Sequence, residues 1–428
     1  MTDGTGMFRS MSPHPERGAV LDEVHARPFH ALPTPARLIH FAFMTSRPEA
    51  QADRTALAAF CRARGLPELP DDARHVLLKL GAETLRWEQH SEFTTYTIEA
   101  AGDPETAFAP PASTLPSAFS ALPPPGRHLA SVDLHLLKPS QEPDLVALFD
   151  PASLAASRVQ GGRALVAADF RPIEGFVRIL VLDRGLDPAA AGALAVRLLE
   201  IETYRLLALL GLPEAQRLSP SVGEAEATLA AISNAMASTD GLESDNLLLE
   251  RLTALAAKSE AEATSAAFRF SASRAYDGIV QQRLVAIGEE AAGTMPTIAA
   301  FLSRRMNPAI RTCQMLQDRQ GDLSQKLTRA ANLLRTRVDV VIERQNRDLL
   351  RSMNERTRLQ LRLQQTVEGL SIAAISYYVV GLAGYVLKAA KEVGYLPIDP
   401  AVATALFVPV AILVIALVLH RIRREHSD

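Results

Sequence analysis

The pattern of apolar and polar positions changes character near residue 187 and again near residue 370. Before the first change, short apolar runs read as strands. "ARLIHFAFMT", Ala36 to Thr45, is a β-type run that follows "LPTP". "RHVLLKLGAETLRWEQHSEFTTYTIEA" is rich in Thr, Val, Ile and aromatics and predicts two or three more strands. "HLASVDLHLL", "GGRALVAADFR" and "GFVRILVLDRG" continue the series, with the glycine pair of "QGGRAL" read as a hairpin turn. Between the first runs, "PEAQADRTALAAFCRARG" sets Leu57, Phe60 and Cys61 on one side of a helix that Gly65 stops. Asp103 to Gly126 is rich in Pro, Ala and Ser and predicts a surface loop or an irregular connection rather than sheet interior. Together these predict a sheet of about six strands with at least one helix.

From Asp187 the spacing turns helical and stays so. "DPAAAGALAVRLLEIETYRLLALLG" opens on Asp-Pro and closes at Gly211. Ser221 to about Gln282 predicts one or two long helices, interrupted near "STDGLES", and another helix follows "GTMP". Leu323 to Gln365 places Leu327, Leu334, Val338, Val341, Ile342, Leu349 and Met353 at three-, four- and seven-residue steps. This is an amphipathic stalk, with coiled-coil character, and no helix stop separates it from Leu370.

The second change is to uninterrupted apolarity. "LSIAAISYYVVGLAGYVL", Leu370 to Leu387, and "AVATALFVPVAILVIALVL", Ala401 to Leu419, are 18 and 19 residues without a charge. As helices they measure roughly 27–29 Å, close to the hydrocarbon thickness of a bilayer. Leu323 to Gln365 carries ten Lys/Arg against four Asp/Glu, and "HRIRRE" follows the second run. The connector balances Lys388 and Lys391 against Glu392 and Asp399. The positive-inside rule then places both flanks in the cytoplasm and the connector outside. The start of the chain has no apolar h-region, so no cleavable signal peptide is expected.

Composition excludes more than it selects. A net charge of −3 with 22% charged residues describes a globular chain with no global pull towards nucleic acid. Cys61 and Cys313, far apart in a chain of 428 residues, read as two reduced thiols.

Two polar clusters are candidates for ligand binding. "LDEVHARPFH" brings Glu23, His25 and Arg27 together beside Asp22 and His30. Such a set can hold a ligand, or pin an irregular segment by ion pairing. "LRWEQHSEFTTY" puts Glu88, His90 and Glu92 on one sheet face if it stays extended, with neighbours about 7 Å apart. If Gln89 to Ser91 is a turn, that arrangement dissolves. Trp87 reads as core. No HExxH, phosphate-binding loop, strand-linked GxGxxG or GxSxG elbow is present, so no enzyme is expected. The first apolar span carries a polar seam of Ser371, Ser376, Tyr377, Tyr378, Gly381 and Gly384, suited to helix packing or to lining a pore. Pro409 predicts a kink in the second span.

"DEVHARPF", "LRWEQHSEFTTYT" and "TVEGLSIAAISYYVVGLAGY" resemble a bacterial family of predicted membrane-anchored proteins, a domain of unknown function. The likeness implies no reaction and no ligand residues. The overall plan also resembles the CorA-type divalent-cation transporters, which implies a homo-oligomer, a pentamer on that plan, with the first span lining a pore and a divalent cation as its cargo. The Gly-Met-Asn triplet of that family is missing, "YVLKAAKE" standing in its place. The helix-then-hairpin ending is similar as well to the membrane-anchored family required for meiotic nuclear division, which implies scaffolding.

The sequence thus predicts an α+β cytosolic domain (1–186), a cytosolic helical region (187–322), a basic stalk (323–369), and a two-helix transmembrane hairpin. The hairpin is 370–387 and 401–419, with connector 388–400 and tail 420–428. Its partners are the lipid bilayer of the bacterial inner membrane and further copies of itself, with no nucleic acid and no cofactor. Two functions stay open: ion transport through the first span, or a membrane-anchored scaffold or sensor whose cytosolic domain binds a ligand or partner.

Overall fold

The computed structural model describes residues 14–18, 21, 30–70, 73–103, 105–112, 121–138, 140–238, 241–394 and 397–425. Along the chain come β1 (Ala36–Met44), α1 (Arg47–Ala63), β2 (His75–Leu80), β3 (Glu83–Gln89), β4 (Phe93–Ala101) and β5 (Arg127–Leu137). Then follow α2 (Leu145–Leu148), β6 (Ala155–Val159), β7 (Ala164–Ile173), β8 (Phe176–Asp183), α3 (Pro188–Leu209), α4 (Gly211–Ser238) and α5 (Leu242–Ile287). The last elements are β9 (Glu290–Ala291), α6 (Ile298–Glu392) and α7 (Pro400–Glu425). An α/β sheet region is therefore followed by long helices and a C-terminal pair of apolar helices.

The strands form one nine-stranded sheet in the order β2-β3-β4-β1-β5-β8-β7-β6-β9. The sequence pattern predicts about six. The difference comes from "RHVLLKLGAETLRWEQHSEFTTYTIEA", which supplies three full strands, and from β9, two residues returning from the helical region to pair with β6. Neighbours are antiparallel except β5 and β8, whose parallel pairing follows from the excursion through α2, β6 and β7. Gly161 and Gly162 turn the β6–β7 hairpin with positive φ, the left-handed backbone that glycine adopts at no steric cost.

Local chemistry sets the helix starts. Ser46 and Glu49 form a reciprocal capping box on α1, and Asp187 accepts the Ala190 N–H to cap α3 just before Pro188. Gly211, where α3 gives way to α4, is required by packing: a Cβ there would stand 2.5 Å from Ser273 Oγ and 3.1 Å from Cys313 Sγ. Three helices meet at that point.

The core forms on both sheet faces. On one, Leu38, Leu134, Val166 and Ile179 pack with Leu194 and Leu198 of α3 and with Leu284 and Leu302. On the other, Ile39, Leu85, Trp87 and Tyr96 take Leu57 and Phe60 of α1. Trp87 is core, as its reading predicts. Its indole Nε1–H donates to Asp53 Oδ2 at 2.7 Å, and the Tyr96 hydroxyl donates to Asp53 Oδ1 at 2.5 Å. The Asp103–Gly126 stretch is strand-free among the described residues, the irregular connection of the two alternatives, and partly packed: Phe108 and Leu122 are buried, and the Pro110 carbonyl accepts from Arg37, which forks onto buried Asp133.

The chain divides into two compact units, residues 1–234 with 251–330, and residues 235–250 with 331–428. In the second, buried Asp245 pairs with Arg337 at 3.0 Å, and Leu334 and Val338 are buried. Beyond Val338 the helix has little cover within the chain, and Leu349, Met353 and Leu363 are exposed. α6 runs without a break from Ile298 to Glu392, so the expected stalk and first apolar span are parts of one helix that starts before residue 323.

Candidate functional site: a polar cavity on the sheet and an apolar helix pair

The sheet face under α3 changes chemistry at β1. Over β5, β8, β7 and β6 it is aliphatic; over β4, β3 and β2 it is polar. Register explains the polar half. His40, Thr97 and Arg86 stand directly opposite one another across β1, β4 and β3, and Thr95, Glu88 and His75 form the next row across β4, β3 and β2. Side chains in such rows share a face and touch. α3 covers them with Leu199, Glu200, Thr203 and Tyr204, and α5 adds Arg283, enclosing a cavity of about 200 Å³.

Hydrogen bonding fixes the state of His40. Thr203 Oγ1 donates to the Leu199 carbonyl at 3.0 Å, so it accepts from His40 Nε2–H at 3.0 Å. His40 Nδ1 is then the acceptor for the Thr97 hydroxyl at 2.8 Å. Burial first, and then the Arg86 charge, lower the His40 pKa to about 3, so the ring is neutral. Burial raises the Glu200 carboxyl above its ordinary range, against the pull of Arg283, whose Nε lies 2.6 Å away.

Arg86 is differently placed. It is only 6% exposed, and its nearest carboxylate, Glu88, stands 3.8 Å from Nε, beyond hydrogen-bond reach. Arg86 Nε and the buried Thr95 Oγ1 have no hydrogen-bond partner among the described residues. A buried donor left unmade costs about 1–3 kcal/mol, more when charged. Arg86 and Thr95 are among the residues that line the cavity, but these two atoms are themselves buried away from it.

A wider depression of about 570 Å³ adjoins it, sharing His90, Phe93 and Tyr204. Arg47, Arg54 and Arg74 line it, and no Asp or Glu does so among the described residues. Arg54 donates to Gln89 Oε1 at 2.6 Å. Its walls are aromatic: His90 stacks on Phe93 at 4.1 Å, and Tyr204 on Tyr276 at 5.5 Å.

The candidates from "LRWEQHSEFTTY" separate. β3 ends at Gln89 and β4 begins at Phe93, so His90 to Glu92 is the turn of a hairpin and the extended three-residue face does not form. Glu88 and His90 line the cavity; Glu92 is held by Arg269 of α5 through two hydrogen bonds, of 2.6 and 3.2 Å. Among the described residues no three of His, Cys, Asp and Glu are placed to hold a metal ion. Glu23, His25 and Arg27 lie outside the described residues. His40, Arg86, Thr95, Thr203, Glu200 and Arg283 are absent from the sequence-based candidates. For His40, Arg86 and Thr95 the only signal is a polar residue at alternate positions in runs otherwise read as strand, which register lines up; Glu200, Thr203 and Arg283 come from α3 and α5 and are brought there by packing.

The C-terminal helices form a second candidate site. The end of α6 and residues 400–418 of α7 are each long and apolar enough to cross a membrane, and 6% of each apolar window is buried. The seam residues divide between two faces. Ser376 is buried, and a Cβ on Gly384 would lie 3.6 Å from the Thr404 side chain of α7, so these two sit on the packed face. Tyr377 is 78% exposed, and Gly381 has open space beside it. The Ser371 hydroxyl is spent on the Val367 carbonyl at 2.8 Å.

A family model described as "Protein of unknown function (DUF3422)" matches residues 12–426. No curated protein and no solved structure matches the chain.

Proposed function

For a chain that belongs to the DUF3422 family over nearly its whole length, we propose a membrane-anchored, homo-oligomeric sensor or scaffold whose cytosolic α/β body takes up a ligand. One observation carries the anchoring. Leu370, Tyr377, Leu382, Leu406 and Leu413 are all more than 60% exposed, in helices of membrane-spanning length. Leaving such side chains in water forgoes roughly 1.5–3 kcal/mol each, and a bilayer covers them on all sides. The excess of arginine before residue 370 and after residue 420 supports a hairpin with both termini in the cytoplasm of the bacterial inner membrane. The cavity on the sheet supports the ligand.

The test is extraction of membranes with alkaline carbonate, combined with labelling of single cysteines placed at Glu392 and Glu368. Retention in the pellet, with labelling from outside only at Glu392, is expected. Release into the supernatant removes the anchoring. A second reading, ion conduction on a CorA-like plan with a divalent cation as cargo, draws on the exposed Tyr377 and the open space at Gly381, a notch where first spans from further copies can pack. A closed ring of about five subunits in light scattering, with flux that falls in Tyr377→Ala, would favour it. A monomer or dimer removes it.

A further inference from the structure

We infer that one face of α6, from Ile342 to Gly381, is the surface on which copies of this chain assemble, packed parallel and in register. This rests on the reading of the chain as a membrane-anchored homo-oligomer and names the interface that joins it. α6 is unbroken from Ile298 to Glu392, so the stalk and the first apolar span share one helical phase. From Ile342, alternate steps of four and three residues pass through Leu349, Met353, Leu363, Val367 and Leu370, the last five between 56% and 72% exposed. The same steps continue without a change of phase to Ala374, Tyr377 and Gly381 inside the span. Charge avoids this seam. Of ten charged residues between 342 and 370, eight stand on the three outer positions of each heptad; Glu343 flanks the seam and Arg356 alone lies on it. A neutral inner side with charges turned outward is the pattern of a helix packed against other helices. A strict seven-residue repeat drifts by about 20° per heptad around a straight helix, so the copies follow it by winding left-handed round one another.

The occupant of the seam is a second copy. Hairpins inserted in the same sense hold neighbouring stalks parallel, with equal residues at equal heights above the bilayer. The polar residues on the seam suit that pairing. Asn346 and Gln360 each carry an amide that both donates and accepts, so each completes its own twin. Such residues fix the register of packed helices at a cost in stability, and Arg356 adds to that cost. Inside the span, α7 lies along another side of α6, where Ser376 is buried. Gly384, next in the repeat, meets Thr404 of α7, so the seam ends at Gly381. Tyr377 and Tyr378 stand at the middle of the 18-residue apolar run and are 78% and 71% exposed. Tyrosine belongs at the membrane–water interface, and a hydroxyl held in hydrocarbon needs a partner. Facing copies supply one, because a phenol hydroxyl both donates and accepts, and the open space at Gly381 gives the neighbouring ring room.

The experiment is oxidation of the full chain in membranes with copper phenanthroline, one added cysteine at a time. Cys61 and Cys313 are buried, and the parent chain sets the background. Parallel seams in register bring each residue opposite its own twin. Met353→Cys, Leu363→Cys and Tyr377→Cys are therefore expected to form disulfide-linked dimers several-fold faster than three controls. The controls are Arg351→Cys and Arg358→Cys on the outer side, and Ser376→Cys on the side that α7 takes. Equal linking at seam and control positions, or none at the seam, overturns the inference. Arg356→Leu, which removes the one charge on the seam, is expected to hold the assembly together at detergent levels that dissociate the parent. Earlier dissociation takes Arg356 off the seam and overturns the register. Light scattering and carbonate extraction of the same preparations separate this inference from the reading beneath it. An oligomer that links only at the control positions keeps the assembly and overturns the seam. A membrane-bound monomer keeps the anchor and overturns assembly and seam together. Protein released by carbonate yet linked along the seam keeps the seam and removes the anchor.

Discussion

At the scale of single residues, buried polar groups organise the sheet body, and their energetics can be tested one at a time. Asp53 is a carboxylate inside the core, kept there by the Trp87 indole and the Tyr96 hydroxyl, while burial pushes its own pKa up. Asp53→Ala strands both donors, and the expected loss is roughly 2–4 kcal/mol. It is read by urea unfolding followed through Trp87, the only tryptophan. An unchanged midpoint would mean that water replaces the carboxylate. His40 makes stability depend on pH. Its folded pKa is about 3 against 6.5 for an ordinary histidine, so the unfolded chain binds the extra proton first. The contribution is intact above pH 6.5 and is lost as pH falls from there towards 3, at up to about 1.4 kcal/mol per pH unit. Between pH 7 and pH 5, His40→Gln should show about 2 kcal/mol less acid destabilisation than the parent chain. Equal slopes for the two would place the ring in water. Neither role is legible in the local sequence, where His40 is a single polar residue in an apolar run and Asp53 is one of several polar residues on an amphipathic helix.

At the scale of elements, helix ends and helix crossings follow different logic. The α1 and α3 starts are written locally, in Ser46–Glu49 and in Asp187–Pro188, and are readable as strings. The boundary at Gly211 looks like a helix stop in the sequence, yet α4 begins at that residue. What demands glycine there is the approach of α5 and α6. Gly211→Ala should therefore destabilise by about 1–3 kcal/mol, and Ser273→Ala, by removing the nearest atom, should recover part of that loss. Simple additivity of the two substitutions would show that the crossing is looser than its geometry. The polar clusters give the same lesson. "LRWEQHSEFTTY" holds Glu88 and His90 at the cavity but turns Glu92 away to Arg269, because the strand ends at Gln89 and a hairpin reverses its direction.

At the scale of the whole molecule, the distribution of uncovered apolar surface dominates. The sheet body closes its core, whereas the second unit leaves its apolar helices bare. A chain shortened to residues 1–369 should be soluble without detergent, and the full chain should need it. A shortened chain that still sediments with membranes would move the anchor elsewhere. The exposed stretch from Leu349 to Leu363 has no cover of its own, and copies packed along it would supply one. Light scattering of the shortened chain is expected to show an oligomer, and a monomer would assign assembly to the apolar hairpin instead.

The hydropathy pattern by itself determined the order of the molecule: strands first, long helices next, two apolar helices last. Those properties belong to local periodicity and run length, which a linear string carries in full. The string also carried the Asp187–Pro188 start of α3, the hairpin at Gly161–Gly162 and the core placement of Trp87. Tertiary structure alone decided the nine-strand order, the return of β9 and the parallel pairing of β5 with β8, because these pairings join strands distant in sequence, Val132 to Val177 in one and Ser157 to Ala291 in the other. It alone decided the cavity too. Arg86, Thr95 and His40 come from three strands and Thr203 and Arg283 from two helices; the register across β1, β4 and β3 aligns the first three, and the packing of α3 and α5 on the sheet brings the other two to the same place.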